Sequence, residues 1–240
     1  MKKLLSAAAM LAASASPLFA QSIVGATIQG NYNSFDNSDG TTLQGSGEFA
    51  LSPTFGIGGG LLSYSNDDVS GTSVTLRGLY FTSPQSALGV FYARSDEDDT
   101  AYDTIGVEWG QSSEAGRFEV YYGSVSSDDI PSEVDLSIAG LSGEFRVADN
   151  VYIRASSEAW FISNDPLEVT YSTSSIGARY LFDQGIAVYA DFGSFGVTVD
   201  DGFSSGSGSE EFVGIGVEYN FGSTNGAMLS TRTLSNAIGF

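Results

Sequence analysis

Apolar and polar residues alternate with a period of two along most of this chain. In the first such stretch, Val24, Ala26 and Ile28 fall on one face, and Thr27 and Gln29 fall on the other. Because successive side chains of a β-strand point to opposite sides, this pattern predicts a strand with one apolar and one polar face. The pattern recurs and predicts about twelve strands, near residues 24–33, 43–51, 55–64, 73–81, 87–95, 103–111, 117–125, 136–146, 151–162, 171–182, 186–197 and 210–221.

In two of these strands the apolar face changes sides. Leu61 and Leu62 interrupt the alternation of the third strand, and residues 138–141 interrupt that of the eighth. A β-bulge or a register shift would produce such a change, so the pattern of these two strands is ambiguous. An even count anywhere between ten and fourteen strands is compatible with the pattern.

The connections between the predicted strands alternate between two kinds. Short turns lie at residues 52–54, 83–85, 113–116, 148–150 and 183–185. Longer loops, acidic or rich in Gly and Ser, lie at residues 35–41, 65–72, 96–102, 126–135, 163–170 and 198–209. Transmembrane β-barrels have this asymmetry, with short turns on the periplasmic side and longer loops outside the cell.

Composition narrows the fold class further. The chain has 30 Gly, 12 Tyr, 16 Phe and no Cys, a composition that favours strands and turns over helices and provides no disulfide bonds. In a soluble β-protein the face that meets water is rich in long charged side chains, whereas here the polar face is Gly, Ser, Thr, Asn and Gln with isolated charges. We therefore predict an all-β fold, a single transmembrane antiparallel up-and-down β-barrel of about 12 strands.

The N-terminus has the three regions of a secretory signal peptide. Two lysines are followed by an apolar run from Leu4 to Ala15 and by Pro17 to Ala20, and the run is too short to span a bilayer. This predicts a signal peptide over residues 1–20, a barrel over 21–221 and a C-terminal extension over 222–240. Cleavage would remove the only two lysines and make the net charge of −20 more negative. Such an acidic chain does not fit nucleic-acid binding, which needs patches of Lys and Arg.

The last predicted strand, Phe212 to Phe221, resembles the closing strand of Gram-negative outer-membrane β-barrels, including porins. Alternating apolar residues end there in an aromatic one: Val213, Ile215, Val217, Tyr219 and Phe221. The resemblance implies a location in the outer membrane with both termini periplasmic, contact with outer-membrane lipid, and recognition of the closing strand by the barrel-insertion machinery. It also implies girdles of aromatic residues, to which Tyr32, Tyr80, Tyr180 and Phe182 would belong. Residues 222–240 continue past this strand and are compatible with an end signal at Phe240, a periplasmic tail or a small plug.

The predicted inner face carries charges of both signs. They are Arg77, Arg146, Arg154, Arg179, Glu48, Glu108, Glu119, Glu144, Glu158, Asp191 and Glu218. Cations that face acids across an open lumen would create a transverse field and line a narrow, weakly cation-preferring pore. The alternative is that the charges pair within the wall, for example Arg154 with Glu144 or Glu158, and fill the barrel. A filled barrel would act as an adhesin or a structural envelope protein through its acidic loops.

Acidic residues also cluster in the predicted extracellular loops. Asp96, Glu97, Asp98 and Asp99 form the densest group and could contact cations, but their spacing matches no defined calcium loop, and a solvated acidic surface is favoured. We expect no metal site and no cofactor.

Catalysis is not expected from this chain. It has no His and no Cys, and no Lys would remain after signal cleavage, so only carboxylates could serve as bases. The function that the sequence predicts is a porin-like channel for passive diffusion of small hydrophilic solutes or ions.

Overall fold

Twelve antiparallel strands close into a single barrel. The computed structural model describes residues 23–35, 38–66, 69–98, 100–131, 133–222 and 227–232, so the predicted signal peptide lies outside the described residues. The strands are β1 (Ile23–Phe35), β2 (Asp39–Ala50), β3 (Phe55–Asn66), β4 (Ser70–Ser83), β5 (Ser86–Glu97), β6 (Thr100–Ser113), β7 (Gly116–Ser126), β8 (Asp135–Ala148), β9 (Val151–Asn164), β10 (Leu167–Leu181), β11 (Ile186–Asp200) and β12 (Ser205–Phe221). Each strand pairs with the next, and β12 pairs with β1, which confirms the predicted closed barrel.

The barrel has two ends, which we name by their connections. The turn end holds the connections at 51–54, 84–85, 114–115, 149–150 and 182–185, together with the start of β1 and the end of β12. The loop end holds the other connections. One three-residue 3-10 helix, Asp183–Gly185, lies at the turn end. Within the described ranges, no helix has the length and apolar character needed to cross a membrane.

The outer surface of the barrel is apolar and its inner surface is mostly polar. On β4, for example, Val74, Leu76 and Tyr80 are exposed on the outside, whereas Thr75 and Arg77 are buried inside. Closure pairs the backbone groups of every strand, so the wall leaves no open sheet edge that lipid would have to accommodate.

Aromatic side chains lie on the outside near the turn end. Phe55 packs against Tyr80 with ring centroids 5.5 Å apart, and Tyr180 packs against Phe182 at 4.8 Å. All four predicted girdle residues, Tyr32, Tyr80, Tyr180 and Phe182, are exposed on the outer surface. These positions suit amphipathic rings at a membrane interface.

The two ambiguous stretches, in β3 and β8, contain no bulge and no register shift. The pairing of β3 with both neighbours is continuous, with Leu61 40% exposed on the outside and Leu62 3% exposed on the inside. Ile138 of β8 also points inward and is buried, and the register of β8 shifts only at its turn end, between Arg146 and Ala148. The apolar pattern changes there because part of the barrel interior is itself apolar.

Most residues of the predicted long loops belong to strands. β11 continues to Asp200 and β12 starts at Ser205, so only 201–204 connect them, where a loop over 198–209 was predicted. The Gly- and Ser-rich ends of these strands keep pairing because the backbone ladder needs no apolar side chains. At the loop end, the strands therefore continue into the residues that were predicted to form loops, and the connections themselves are short in most cases.

Candidate functional site in the barrel lumen

One side of the lumen is packed like the core of a soluble protein. Phe91, Tyr121, Ile138 and Trp160 point inward from β5, β7, β8 and β9 and are buried in one apolar cluster. Ala93, Val125 and Leu136 complete the cluster. We call this region the packed side. Its buried apolar side chains pack against one another as they do in a protein core.

The rest of the lumen is polar and contains a cavity of about 230 Å³, which reaches Tyr121 of the packed side. We call this region the polar side. Its wall is built mainly from uncharged hydroxyl and amide side chains of β1, β2, β9 and β10: Gln29, Asn31, Gln44, Ser46, Ser156, Thr173 and Ser175. Arg154, Glu158 and Asp191 add charges of both signs to the same cavity.

Inward-facing glycines make room for the largest inward side chains. A Cβ at Gly140 would overlap the ring of Tyr121 on the neighbouring strand, and a Cβ at Gly216 would overlap the ring of Tyr189. The many glycines of the polar face therefore determine where large side chains can fill the lumen.

Residues 227–232, which we call the lumenal segment, lie inside the barrel. The Ala227 N–H donates to Thr27 Oγ1 on β1 at 3.0 Å, and the Ala227 carbonyl accepts from Arg117 Nη1 on β7 at 3.2 Å. Strands β1 and β7 are six apart in a ring of twelve, so Ala227 links opposite walls. Of the three alternatives for 222–240, a small plug agrees with this position, and Phe240 lies outside the described residues.

The middle of the lumenal segment is held by buried charged side chains. The Leu229 N–H donates to Glu48 at 2.7 Å, and the Ser230 N–H donates to Glu119 at 2.9 Å. Arg77 donates to the Leu229 carbonyl at 3.0 Å and to the Ser230 carbonyl at 2.6 Å. Charged partners of this kind make stronger hydrogen bonds than neutral ones.

Arg232 anchors the far end of the segment. Its guanidinium lies 2.8 Å from Glu108 and 3.4 Å from Glu119. The backbone N–H of Arg232 donates to Thr75 Oγ1 at 3.1 Å. The guanidinium also stacks over the ring of Tyr121, 3.8 Å from its centroid. A cation buried to 3% exposure is thus neutralised by two acids and an aromatic face.

Most of the predicted inward charges are buried, and several of them form ion pairs within the wall. The buried set is Glu48, Arg77, Glu108, Glu119, Glu144, Arg179 and Glu218. Arg77 lies 3.0 Å from Glu108, and Arg179 lies 3.0 Å from Glu144 and 2.5 Å from Glu218. These pairs join alternate strands side by side and do not face each other across an open lumen.

Arg154 pairs with Asp191 at 3.2 Å, and not with Glu144 or Glu158, which the filled-barrel alternative offered as examples. Arg154 is on β9 and Asp191 on β11, and the strand between them carries Gly177, where a Cβ would overlap Asp191. The glycine lets two inward side chains meet over the intervening strand. Glu158 lines the same cavity without being the partner of Arg154 in an ion pair.

Arg146 does not lie in the interior of the lumen. It is exposed at the turn end and donates to Asp149 in the β8–β9 connection at 3.0 Å. Arg146 keeps the register of Glu144, because it pairs with Tyr152, but it lies next to the β8–β9 connection, where its guanidinium is exposed.

The acidic loop residues are dispersed at the loop end. Asp96 lies 3.6 Å from Arg94, and Asp98 accepts from the Ser70 N–H, while Glu97 ends β5 and Asp99 lies outside the described residues. Across the described ranges, no three acidic, His or Cys side chains are placed to hold a metal ion.

Asp201 organises the connection between β11 and β12. Its carboxylate accepts from the N–H groups of Ser204 at 2.7 Å and Phe203 at 2.9 Å. These backbone amides hold the pKa of the Asp201 carboxyl below its ordinary value.

Two lumenal cations were not predicted from the sequence. Arg117 lies two residues before Glu119 on β7, so the parity that identified Glu119 could have identified it as well. Arg232 follows the last strand in a stretch without alternation, so no periodic signal marks it.

Solved structures with a similar fold are outer-membrane porins and channels. KdgM porin is 11% identical, with a TM-score of 0.56 over 80% of this chain and 98% of that one. NanC porin is 11% identical, with a TM-score of 0.56 over 81% of this chain and 98% of that one. An outer membrane channel from Pseudomonas putida F1 is 11% identical, with a TM-score of 0.60 over 82% and 96%. No family model and no curated protein matches the chain. At this identity the likeness is one of fold, and the chain has the closed barrel fold of outer-membrane porins.

Proposed function

We propose that this protein is an outer-membrane channel through which small hydrophilic solutes or ions diffuse passively along the polar side of the lumen. The observation that carries the proposal is the cavity between β1, β2, β9 and β10, whose wall offers hydroxyl and amide groups to a passing solute. Such groups replace water contacts without binding a solute tightly, which diffusion through a pore requires. KdgM porin, which shares the fold, has also been solved in complex with disordered oligogalacturonate, a polar solute.

Weak preference for cations is part of the proposal. The chain carries a net charge of −20, and acidic residues such as Asp96 and Asp201 are exposed at the loop end. An acidic mouth raises the local concentration of cations and lowers that of anions. Arg154 opposes this preference inside the cavity, where Asp191 balances part of its charge.

Planar-bilayer recordings of the refolded full chain test the proposal. Discrete conductance steps are expected, and Ser175→Trp should lower their amplitude because Ser175 lines the cavity. Ser174→Trp is the matched control, since the neighbouring Ser174 is exposed on the opposite face of β10. Absence of steps both before and after the lumenal segment is cut from the barrel would contradict the proposal.

A filled barrel that acts through its surface is the second candidate. The lumenal segment favours it, because Ala227 joins opposite walls and the buried charges of the wall are paired. Such a barrel would act as an adhesin or a structural envelope protein through the loop end. In either case, we propose contact of the outer surface with lipid and of β12, the closing strand, with the barrel-insertion machinery.

A further inference from the structure

We propose that the lumen wall contains a binding site for a peptide backbone, that the lumenal segment is its occupant, and that withdrawal of this segment opens the channel. The first two parts stand on the contacts of the segment alone. The third rests on the proposed channel function.

The site recognises the main chain of its occupant. Within the segment, N–H groups of Ala227, Leu229, Ser230 and Arg232 donate to side chains of the wall, and carbonyls of the same four residues accept from them. The wall partners come from four strands: Thr27, Glu48, Ser73, Thr75, Arg77, Arg117 and Glu119. A peptide held in this way can leave and return without breaking any strand pairing of the barrel.

Two side chains of the segment give the site its specificity. Leu229 is fully buried against Leu79, Phe81 and Ala87 near the turn end. Arg232 bridges two acids further inside, as described above. An apolar residue followed three positions later by an arginine is therefore the sequence that the site selects.

The wall is shaped to receive the segment. A Cβ at Gly60 on β3 would lie 3.2 Å from the Cβ of Thr231, and a Cβ at Gly110 on β6 would lie 2.7 Å from a methyl group of Leu229. These inward glycines face the segment, whereas Gly140 and Gly216 face side chains of the wall. A wall that merely closed on itself would not need glycine at these two positions.

Occupancy of the site closes the lumen near the turn end. Ala227 links β1 to β7, while Met228 and Leu229 pack into the apolar cluster with Leu79 and Phe81. Ala227, Leu229, Ser230 and Arg232 also form part of the wall of the polar cavity. Removing the segment would therefore enlarge the cavity and remove the bridge across the lumen.

The test cuts the segment free after the full chain has folded. A sequence-specific protease site replaces residues 223–226, the protein is refolded and cut, and the fragment is exchanged for an excess of fluorescent synthetic peptide covering residues 227–240. Fluorescence anisotropy measures binding of this peptide, and planar-bilayer recording measures conductance before the cut, after it, and after the peptide is added back.

The proposal expects saturable binding of one peptide per barrel. The Arg232→Ala peptide should bind at least about tenfold more weakly, because truncation removes the ion pairs of Arg232 with the buried Glu108 and Glu119. A Thr231→Val peptide is the matched control and should bind within about twofold of the natural peptide. Thr231 is equally buried, but its hydroxyl has no hydrogen-bond partner among the described residues. No binding, or equal binding of the Arg232→Ala peptide, would overturn the site.

The conductance measurements distinguish a failure of the proposed binding site from a failure of the proposed channel. Several-fold more open time after the cut, reversed by added peptide, supports the plug. Equal conductance before and after the cut overturns the plug and leaves the channel in place. Binding of the peptide to a barrel that never conducts supports the site and overturns the channel.

Discussion

The packed side and the polar side of the lumen are both built from strands with alternating faces. They differ in the kind of side chain that points inward. On the packed side, Phe91, Tyr121 and Ile138 exclude water in a dense apolar cluster. On the polar side, residues such as Gln44 and Ser175 surround a cavity. The strand pattern specifies the barrel, and the choice of inward side chains decides which part of the barrel is filled.

The lumenal segment lies where the two sides meet. Its apolar residues pack near the turn end, its backbone binds the charged side chains of β2, β4 and β7, and Arg232 reaches the aromatic rings of the packed side. Under the proposed function, one half of the interior provides stability, the other half provides a route for solutes, and the segment between them controls that route.

Removal of a buried charge should have the largest effect on stability. Arg77→Ala removes a buried cation, leaves Glu108 with Arg232 as its one ion-pair partner and releases two carbonyls of the lumenal segment, so we expect a loss of about 4 kcal/mol in the free energy of unfolding. Urea unfolding in lipid vesicles measures it. Arg94→Ala is the control, since Arg94 pairs with Asp103 at 49% and 40% exposure and should cost less than about 1 kcal/mol. Equal losses of unfolding free energy in the two variants would show that a buried ion pair of the lumen stabilises the barrel no more than an exposed pair does.

Truncation within the packed side should come next. Ile138→Ala creates a cavity in the apolar cluster and should cost about 3 kcal/mol, measured in the same unfolding experiment. Conductance steps should keep their amplitude because the cavity is apolar and closed. Leu141→Ala on the outward face of the same strand is the control and should cost less than half as much. If Ile138→Ala enlarged the steps, the packed side would have to be counted as part of the pathway.

Charge on the polar side should change selectivity without changing stability much. Arg154 lines the cavity, so Arg154→Gln should raise the permeability ratio of K⁺ to Cl⁻ a few-fold, measured as a reversal potential in a salt gradient. Arg146→Gln removes the same charge at the exposed turn end and should leave the ratio unchanged. The opposite ranking of the two variants would place the selective part of the channel at the turn end.

The smallest expected effect is confined to one connection at the loop end. Because backbone amides lower the pKa of Asp201, its contribution to local order is present at and above the ordinary Asp pKa and is lost as pH falls through the lowered value. The amide proton shifts of Phe203 and Ser204 should therefore titrate with a midpoint below the ordinary range of Asp. Asp201→Asn should abolish this titration, and a midpoint at the ordinary value would show that these hydrogen bonds do not hold in solution.

The sequence predicted the wall of the barrel well because alternation is local. Strand number and the inward position of residues such as Glu48 and Glu218 follow from parity along each strand. The pairing of Arg154 with Asp191 could not be predicted, because it depends on the relative register of β9 and β11 and on Gly177 between them. Leu62 and Ile138 made the pattern ambiguous since parity alone does not show that an inward face can be apolar.

The position of the lumenal segment could not be predicted from the periodicity of the sequence. Six residues bound by side chains of the wall carry no repeating pattern, and their partners lie more than a hundred positions away along the chain. Only an unexplained surplus of inward glycines, such as Gly60 on β3, indicates that something besides the wall occupies the lumen.

A reversible crosslink tests most directly whether the lumenal segment closes the channel. The chain has no Cys, so Gly60→Cys with Thr231→Cys introduces a single pair, and the 3.2 Å between their Cβ positions is near the roughly 3.5–4.5 Å of a disulfide. Either single variant serves as the control. In planar bilayers, the oxidised protein should show no conductance steps, and addition of a reductant to the same membrane should produce them. Steps of equal frequency and amplitude in both states, or no steps in either, would contradict a channel closed by its own C-terminal segment.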